Sequence, residues 1–235
     1  MTTIITLTTD FGLRDGYVGA MKGVILSLAP HVRIVDLTHE IEPQNIRQAT
    51  FVLAQAAPYF PAETIHVAVV DPGVGTARRP LLVTTPRARY VGPDNGIFTA
   101  ALGEEGARAW VLDRPAYWLP RPSRTFHGRD LFAPIAAHLA NGVPPEQLGR
   151  PIDDPVRLAW PQPARHADGH LSGAIIHVDR FGNLISNIPA AWLEGRRWQC
   201  RIAGHMAPVV ATYGEGAVGA LIGLIGSSEM LEMAV

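Results

Sequence analysis

Two residue types are nearly missing from this chain. A single cysteine, Cys200, excludes an internal disulfide and a cysteine-rich metal site. It lies in a strand-like stretch with no acid-base partner nearby in sequence and reads as a buried structural thiol. Lysine is as scarce: Lys22 is the only one, and arginine supplies the rest of 20 basic residues, which 21 acidic ones balance. That balance removes the field that would draw the protein to nucleic acid or to an anionic membrane. Long apolar runs are lacking too. The longest, "AVGALIGLIG" at 217–226, is too short and too glycine-rich to span a bilayer, and "MTTIITLTTD" has neither the basic start nor the long apolar centre of a secretion signal. A cytoplasmic location is expected.

What is present describes a globular protein: 235 residues, 47% hydrophobic and 17% charged, enough to bury a sizeable core. The first two-thirds alternates β-rich with helical segments: "TIITLTTD", "GYVGAMKGVILSLAP", "VRIVDLT", "NIRQATFVLAQAAPYF", "TIHVAVVD", "PLLVTT", "RYVGPDNG", "IFTAALGEEG" and "LFAPIAAHLANG". This rhythm predicts an α/β layered domain with a mainly parallel sheet. "HVAVV" has no polar alternation, as expected of a strand buried on both faces. Residues 143–168 are rich in proline and polar side chains without a sustained period and read as a connection. A boundary near 165 follows, giving an N-terminal α/β domain over 1–165 and a small all-β domain over 166–235.

In open parallel sheets, ligands bind beyond the carboxyl ends of the strands, so acids that follow strand-like runs are the first candidates. Asp10 ends "IITLTTD", Asp71 ends "HVAVVD" and Asp94 follows "RYVGP". Each also has a plain reading as a cap or turn residue. "DPGVGTARR" lacks the spacing and lysine of a phosphate-binding loop. It does set Arg78 seven residues beyond Asp71, across a turn that can return guanidinium to carboxylate. "TFHGRD" places His127 just before a helix, where it can meet a ligand or serve as a turn histidine. The remaining histidines show no HExxH or other close ligand spacing, which argues against zinc. "IIHVDRFGNLISNI", at 175–188, gathers an acid, a base, an aromatic and two asparagines inside an apolar strand-like stretch.

Taken in order, "TTDFG", "DPGVGTARR", "PDNG", "TFHGRD" and "VDRFGNLISNI" make the sequence resemble the S-adenosyl-L-methionine (SAM) hydroxide adenosyltransferase family, the SAM hydrolases, relatives of the fluorinase and chlorinase. The resemblance covers essentially the whole chain. It implies an N-terminal α/β domain, a C-terminal β-barrel, and a homotrimer whose active sites lie between one subunit's N-terminal domain and its neighbour's C-terminal domain. By motif match, Asp10 would accept hydrogen bonds from both ribose hydroxyls, as a carboxylate can. Asn183 would read adenine with its amide, Phe181 would pack near it, Asp179 would reach the methionine amine, and Phe126 would join the substrate-binding residues. In "GSSEMLEMA" the match is looser: Ser227 and Ser228 fall where relatives hold the methionine carboxylate, and Glu232 and the Val235 backbone fall where adenine is approached.

The family's hydrolases carry an Asp-Arg-His set, matched here by Asp71, Arg78 and His127. The fluorinase has tyrosine at the position of Asp71 and, at that of Gly128, a serine that helps bind halide. The resemblance therefore implies attack of water or hydroxide at C5′ of SAM to give adenosine and L-methionine. It further implies that SAM is the substrate and that no cofactor or metal is needed. Two alternatives stay open at this point: an adenosine- or SAM-binding protein with little turnover, and a halide-using adenosyltransferase.

Overall fold

The computed structural model describes residues 2–235, which divide into two units after Leu158. In the first unit the elements run β1 (Ile4–Thr9), α1 (Tyr17–Leu28), β2 (Arg33–Thr38), α2 (Ile46–Ala56), β3 (Thr64–Val69), β4 (Pro80–Thr84), β5 (Ala88–Pro93), β6 (Arg108–Val111), α3 (Ala133–Ala140) and β7 (Arg150–Ile152). Seven strands form one sheet in the order β2-β1-β3-β5-β4-β6-β7. The expected mainly parallel character holds for β2, β1, β3 and β5, while β4, β6 and β7 pair antiparallel. The sheet is therefore mixed. Residues 85–87, which join β4 to β5, are enough for a hairpin and far too few for a crossover.

All of β3 is buried, and its side chains divide between two clusters. Ile65, Val67 and Val69 pack with Met21 and Ile25 of α1 and Ile135 and Ala136 of α3. Ala68 and the following Val70 pack with Ala49 and Leu53 of α2 and with Phe98. Helices thus cover both faces, which is why this segment shows no polar alternation. α2 begins on a side-chain cap, Asn45 accepting from the Gln48 N–H at 3.0 Å. "IFTAALGEEG" is not the helix its composition suggests. It is a turn with one short 3₁₀ segment, Ala101–Gly103, followed by Gly106 at φ +79°.

The helix predicted from "LFAPIAAHLANG" is present, but a wider π turn, Gly128–Phe132, leads into it. Pro134 has no N–H to offer the preceding turn. The Asp130 carbonyl accepts instead from the Leu119 N–H at 2.9 Å, and the Ala133 N–H reaches back five residues to Gly128. Residues 143–158 carry more structure than a connection would. β7 pairs with β6, the Val156 N–H donates to Asp94 at 2.7 Å, and the Leu158 N–H donates to Thr99 at 2.8 Å.

The second unit, Ala159–Val235, has no α-helix among its described residues. Its strands are β8 (Ala164–Arg165), β9 (Leu171–Ser172), β10 (Ile175–Val178), β11 (Leu184–Pro189), β12 (Gln199–Ile202), β13 (His205–Pro208), β14 (Ile222–Ile225) and β15 (Met230–Ala234). Four of them form an antiparallel sheet in the order β10-β11-β15-β14, and β12-β13 and β8-β9 make two-stranded sheets. One bridge, Val209 to Gly223, links the end of β13 to β14. The unit is all-β, as expected, with Ile185, Ile188, Leu224, Leu231 and Met233 turned inward. Cys200 is half-buried on β12, its thiol 3.5 Å from the Ala207 carbonyl and pushed up in pKa by burial.

Candidate active site

β1 and β3 are parallel neighbours, so the residues just beyond them emerge side by side. Asp10 follows β1, and Asp71 follows the buried Val70 after β3. Both line a cleft of about 660 Å³ with Phe11, Tyr17, Gln44, Phe126, His127 and Arg129. Asp94, the third acid of the same pattern, is not among that lining. It is buried, accepting from Arg79 Nε at 2.7 Å and from the Val156 N–H, so it serves the packing of the first unit.

The turn from Asp71 to Arg78 folds back on itself through bonds from the Val74 N–H to the Asp71 carbonyl (3.2 Å) and from the Thr76 N–H to the Gly73 carbonyl (3.2 Å). Gly75 sits there at φ +76°, and a Cβ on it would lie 2.3 Å from the Arg124 carbonyl oxygen, so only glycine fits. The turn brings the guanidinium onto the carboxylate in a two-pronged pair, Nε to Oδ1 at 3.1 Å and Nη2 to Oδ2. The side chains of Asp71 and Arg78 are only 5% and 7% exposed. Nη2 also lies 2.9 Å from His127 Nδ1. Arginine has protons to give and no lone pair to accept with, so His127 Nδ1 is the acceptor and the imidazole proton resides on Nε2. Burial, and then the nearby guanidinium, lowers the His127 pKa below its usual value, in keeping with a neutral ring. Arg78 Nη1 is buried and has no protein partner among the described residues.

Asp10 is held at Oδ2 by the Gln44 N–H, 2.8 Å away. Gln44 adopts φ +66°, a left-handed conformation unusual for a residue with a side chain. Phe11, Tyr17 and Phe126 form an aromatic wall with centroids 5.2–5.9 Å apart. Arg129 lies 5.0 Å above the Phe126 ring and is itself held by the buried Asp130. Gly128 is packed tightly: a Cβ there would be 3.2 Å from Met21 Sδ and 3.3 Å from Phe126 Cε2.

The second unit gathers its own polar group. Asp179 closes the turn before β11, accepting from the Phe181 N–H (2.8 Å), the Asn183 N–H (2.9 Å) and Asn183 Nδ2 (3.0 Å). Phe181, at the tip, is 89% exposed. Asn183 Nδ2 also lies 3.4 Å from the Tyr213 hydroxyl, which donates to Glu232. That hydrogen bond is the first cause, ahead of burial, of a Tyr213 pKa pushed up to about 12. The Glu232 carboxylate folds against Gly226, where a Cβ would overlap it. Tyr213 is the residue that sequence reasoning missed. Nothing local in "ATYGE" announces a hydroxyl bridging Asn183 and Glu232. Ser228 Oγ is buried without a hydrogen-bond partner among the described residues, and Ser227 and Val235 are exposed. None of these three is hydrogen-bonded into the Asp179 network among the described bonds.

Residues 5–149 match the SAM hydroxide adenosyltransferase N-terminal domain, and residues 173–235 match the C-terminal domain of the same family. The chain belongs to the SAM hydroxide adenosyltransferase family. It is 43% identical over 238 residues to a Thermus thermophilus protein named (R)-S-adenosyl-L-methionine hydrolase, covering 97% of this chain and 89% of that one. A fluorinase from Actinoplanes sp. is 31% identical, covering 81% of this chain and 73% of its own. An uncharacterized conserved protein from Thermotoga maritima shares the structure with a TM-score of 0.91 at 36% identity, over 98% of this chain and 92% of that one. Within this family member, no cluster of three His, Cys, Asp or Glu side chains among the described residues is arranged to hold a metal. No described helix is long and apolar enough to cross a membrane.

Proposed function

We propose that this SAM hydroxide adenosyltransferase family member hydrolyses SAM at C5′, releasing adenosine and L-methionine, with Asp71, Arg78 and His127 as its catalytic residues. The observation that carries the reading is the buried pair of Asp71 and Arg78 at the mouth of β3, with a spare guanidinium N–H. C5′ is activated because the departing sulfur leaves as a neutral thioether, and the nucleophile must arrive in line from the opposite side. Water attacks poorly. A water held on the remaining lone pairs of Asp71 and on Arg78 Nη1 would be oriented by two fixed partners. As the C5′–O bond forms and the C5′–S bond breaks, Asp71 takes the proton, and positioned help of this kind contributes roughly 10²- to 10⁴-fold. His127 keeps the guanidinium in register as a neutral acceptor. The carboxylate gives up its negative charge to the proton as positive charge fades from sulfur, so opposite charges cancel, a change that a dry site favours.

Around this centre, Asp10 holds the ribose hydroxyls and Phe126 lines the substrate. Asn183 and Phe181 receive adenine, Asp179 takes the methionine amine, Ser227 and Ser228 its carboxylate, and Glu232 and Val235 the adenine edge. No cofactor takes part. The assembly is a cytoplasmic homotrimer in which the α/β domain (1–165) of one subunit meets the C-terminal β-barrel (166–235) of its neighbour. Two features support the division of labour: the charged trio lies in the first unit, and the exposed aromatic and amide of "DRFGN" lie in the second. A halide-using reaction is disfavoured by the carboxylate at 71, which repels an anion, and by the tight packing around Gly128.

Incubation with SAM in oxygen-18 water tests the reading. The label is expected in the adenosine 5′-hydroxyl. Halogenated nucleoside formed with added chloride, or binding without product, would overturn it. Since the relatives are named for the (R) sulfonium, both sulfur epimers belong in that assay.

A further inference from the structure

The turn that carries Asp10 is gripped from the loop after β2. Thr9 Oγ1 lies 2.8 Å from His39 Nδ1, the Phe11 N–H donates to the same Oγ1 at 3.2 Å, and the Gly12 N–H donates to the His39 carbonyl at 2.8 Å. His39 therefore touches the chain on both sides of Asp10, once with its ring and once with its backbone. The ring is buried, its side chain 2% exposed. Nε2 lies 3.1 Å from Asp36 Oδ1, without the alignment of a hydrogen bond, and Asp36 Oδ2 is 2.6 Å from the ammonium of Lys22. A proton on Nε2, on the side of the Asp36 carboxylate, leaves Nδ1 to accept from the Thr9 hydroxyl while Oγ1 receives the Phe11 N–H on a lone pair.

The backbone is shaped to make this contact. In the pairing of β1 with β2, Leu7 faces Asp36 but Thr8 faces Thr38, so β2 carries one extra residue at Leu37. Such bulges re-aim side chains beside functional sites. In regular register Thr8 would face Leu37 and Thr9 would face Thr38. The extra residue advances the strand so that His39 arrives beside Thr9.

We infer that His39 is a positioning residue: through Thr9 Oγ1 and the Gly12 N–H it fixes the direction of the Asp10 carboxylate toward the ribose, although it does not line the cleft. The inference rests on the ribose role proposed for Asp10. Its signature is a split between binding and turnover. In His39→Ala, adenosine Kd and the KM for SAM rise about tenfold, as expected for loss of a buried hydrogen bond, while kcat stays within about threefold because Asp71 and Arg78 are untouched. His39→Asn, which can place an oxygen near the position of Nδ1, recovers most of the affinity. Thr9→Val breaks the same contact from the other side with little change in volume and should match His39→Ala. It also serves if the alanine variant fails to fold.

Calorimetry with adenosine and steady-state kinetics with SAM on the full chain provide the readout, with Asp10→Ala as control. If Asp10→Ala binds adenosine normally, the ribose role itself fails. If Asp10→Ala loses binding while folded His39→Ala and Thr9→Val keep wild-type Kd and lose only melting temperature, His39 is merely structural and the inference is overturned. Failure of His39→Asn to improve on alanine would also overturn it.

Discussion

Asp71 and Arg78 in the first unit keep 5% and 7% of their side chains exposed, whereas Phe181 in the second keeps 89%. The first group has its charges paired before any ligand arrives. Carboxylate, guanidinium and imidazole already bind one another, with Arg78 Nη1 left without a partner among the described residues, and Gly75 and the turn around it leave them little freedom. The second group is also internally bonded, but its bonds run along a surface turn. Under the proposed function, Asn183 would exchange its bonds to Asp179 and Tyr213 for bonds to a base. The contrast separates two demands on a site: groups that stabilise developing charge work best when fixed in advance, while groups that admit and release a ligand must be reachable.

That contrast can be broken at its rigid end first. Arg78→Ala leaves a buried carboxylate without its counter-charge, and the expected cost is about 3–5 kcal/mol of stability, read as a lower denaturant midpoint with an unchanged slope. A midpoint within error of the parent would mean that the pair is not truly dry. Asp71→Asn is the next largest effect. Shape is nearly kept while the charge and one of the two acceptors facing Arg78 are lost, so kcat should fall by ~10²-fold or more with adenosine affinity preserved. Equal losses in both quantities would move Asp71 from chemistry to binding. At the other end, Phe181→Ala should change stability by no more than about 0.5 kcal/mol yet weaken adenosine by roughly threefold to tenfold. An unfolding midpoint that moved as far as in Arg78→Ala would erase the distinction between the two groups.

Much of the first group was legible in the sequence because it follows from local rules. A strand-like run ending in aspartate marks a buried strand and the acid beyond it, as with the apolar run before Asp71 and the threonine-rich run before Asp10. The return of Arg78 to Asp71 needed only a turn with glycines. What escaped depends on partners distant in the chain. The reversal at β4 and β5 gives half of the sheet its antiparallel sense. The π turn arises because the Asp130 carbonyl finds Leu119 when Pro134 cannot serve it. Asp94 satisfied the same positional rule as Asp10 and Asp71, and only the arrival of Arg79 and Val156 shows it to be a packing residue. Tyr213 and His39 were invisible for the same reason: each acts on a neighbour 30 residues away.

The scarcity of lysine has a practical consequence for watching this fold. An acylating reagent finds one side-chain amine in the whole chain, and that amine ties α1 to β2 through Asp36. A single mass increment at Lys22 is therefore a timer for the separation of helix and strand: slow while the ammonium stays seated on its carboxylate, and fast once that corner of the protein opens.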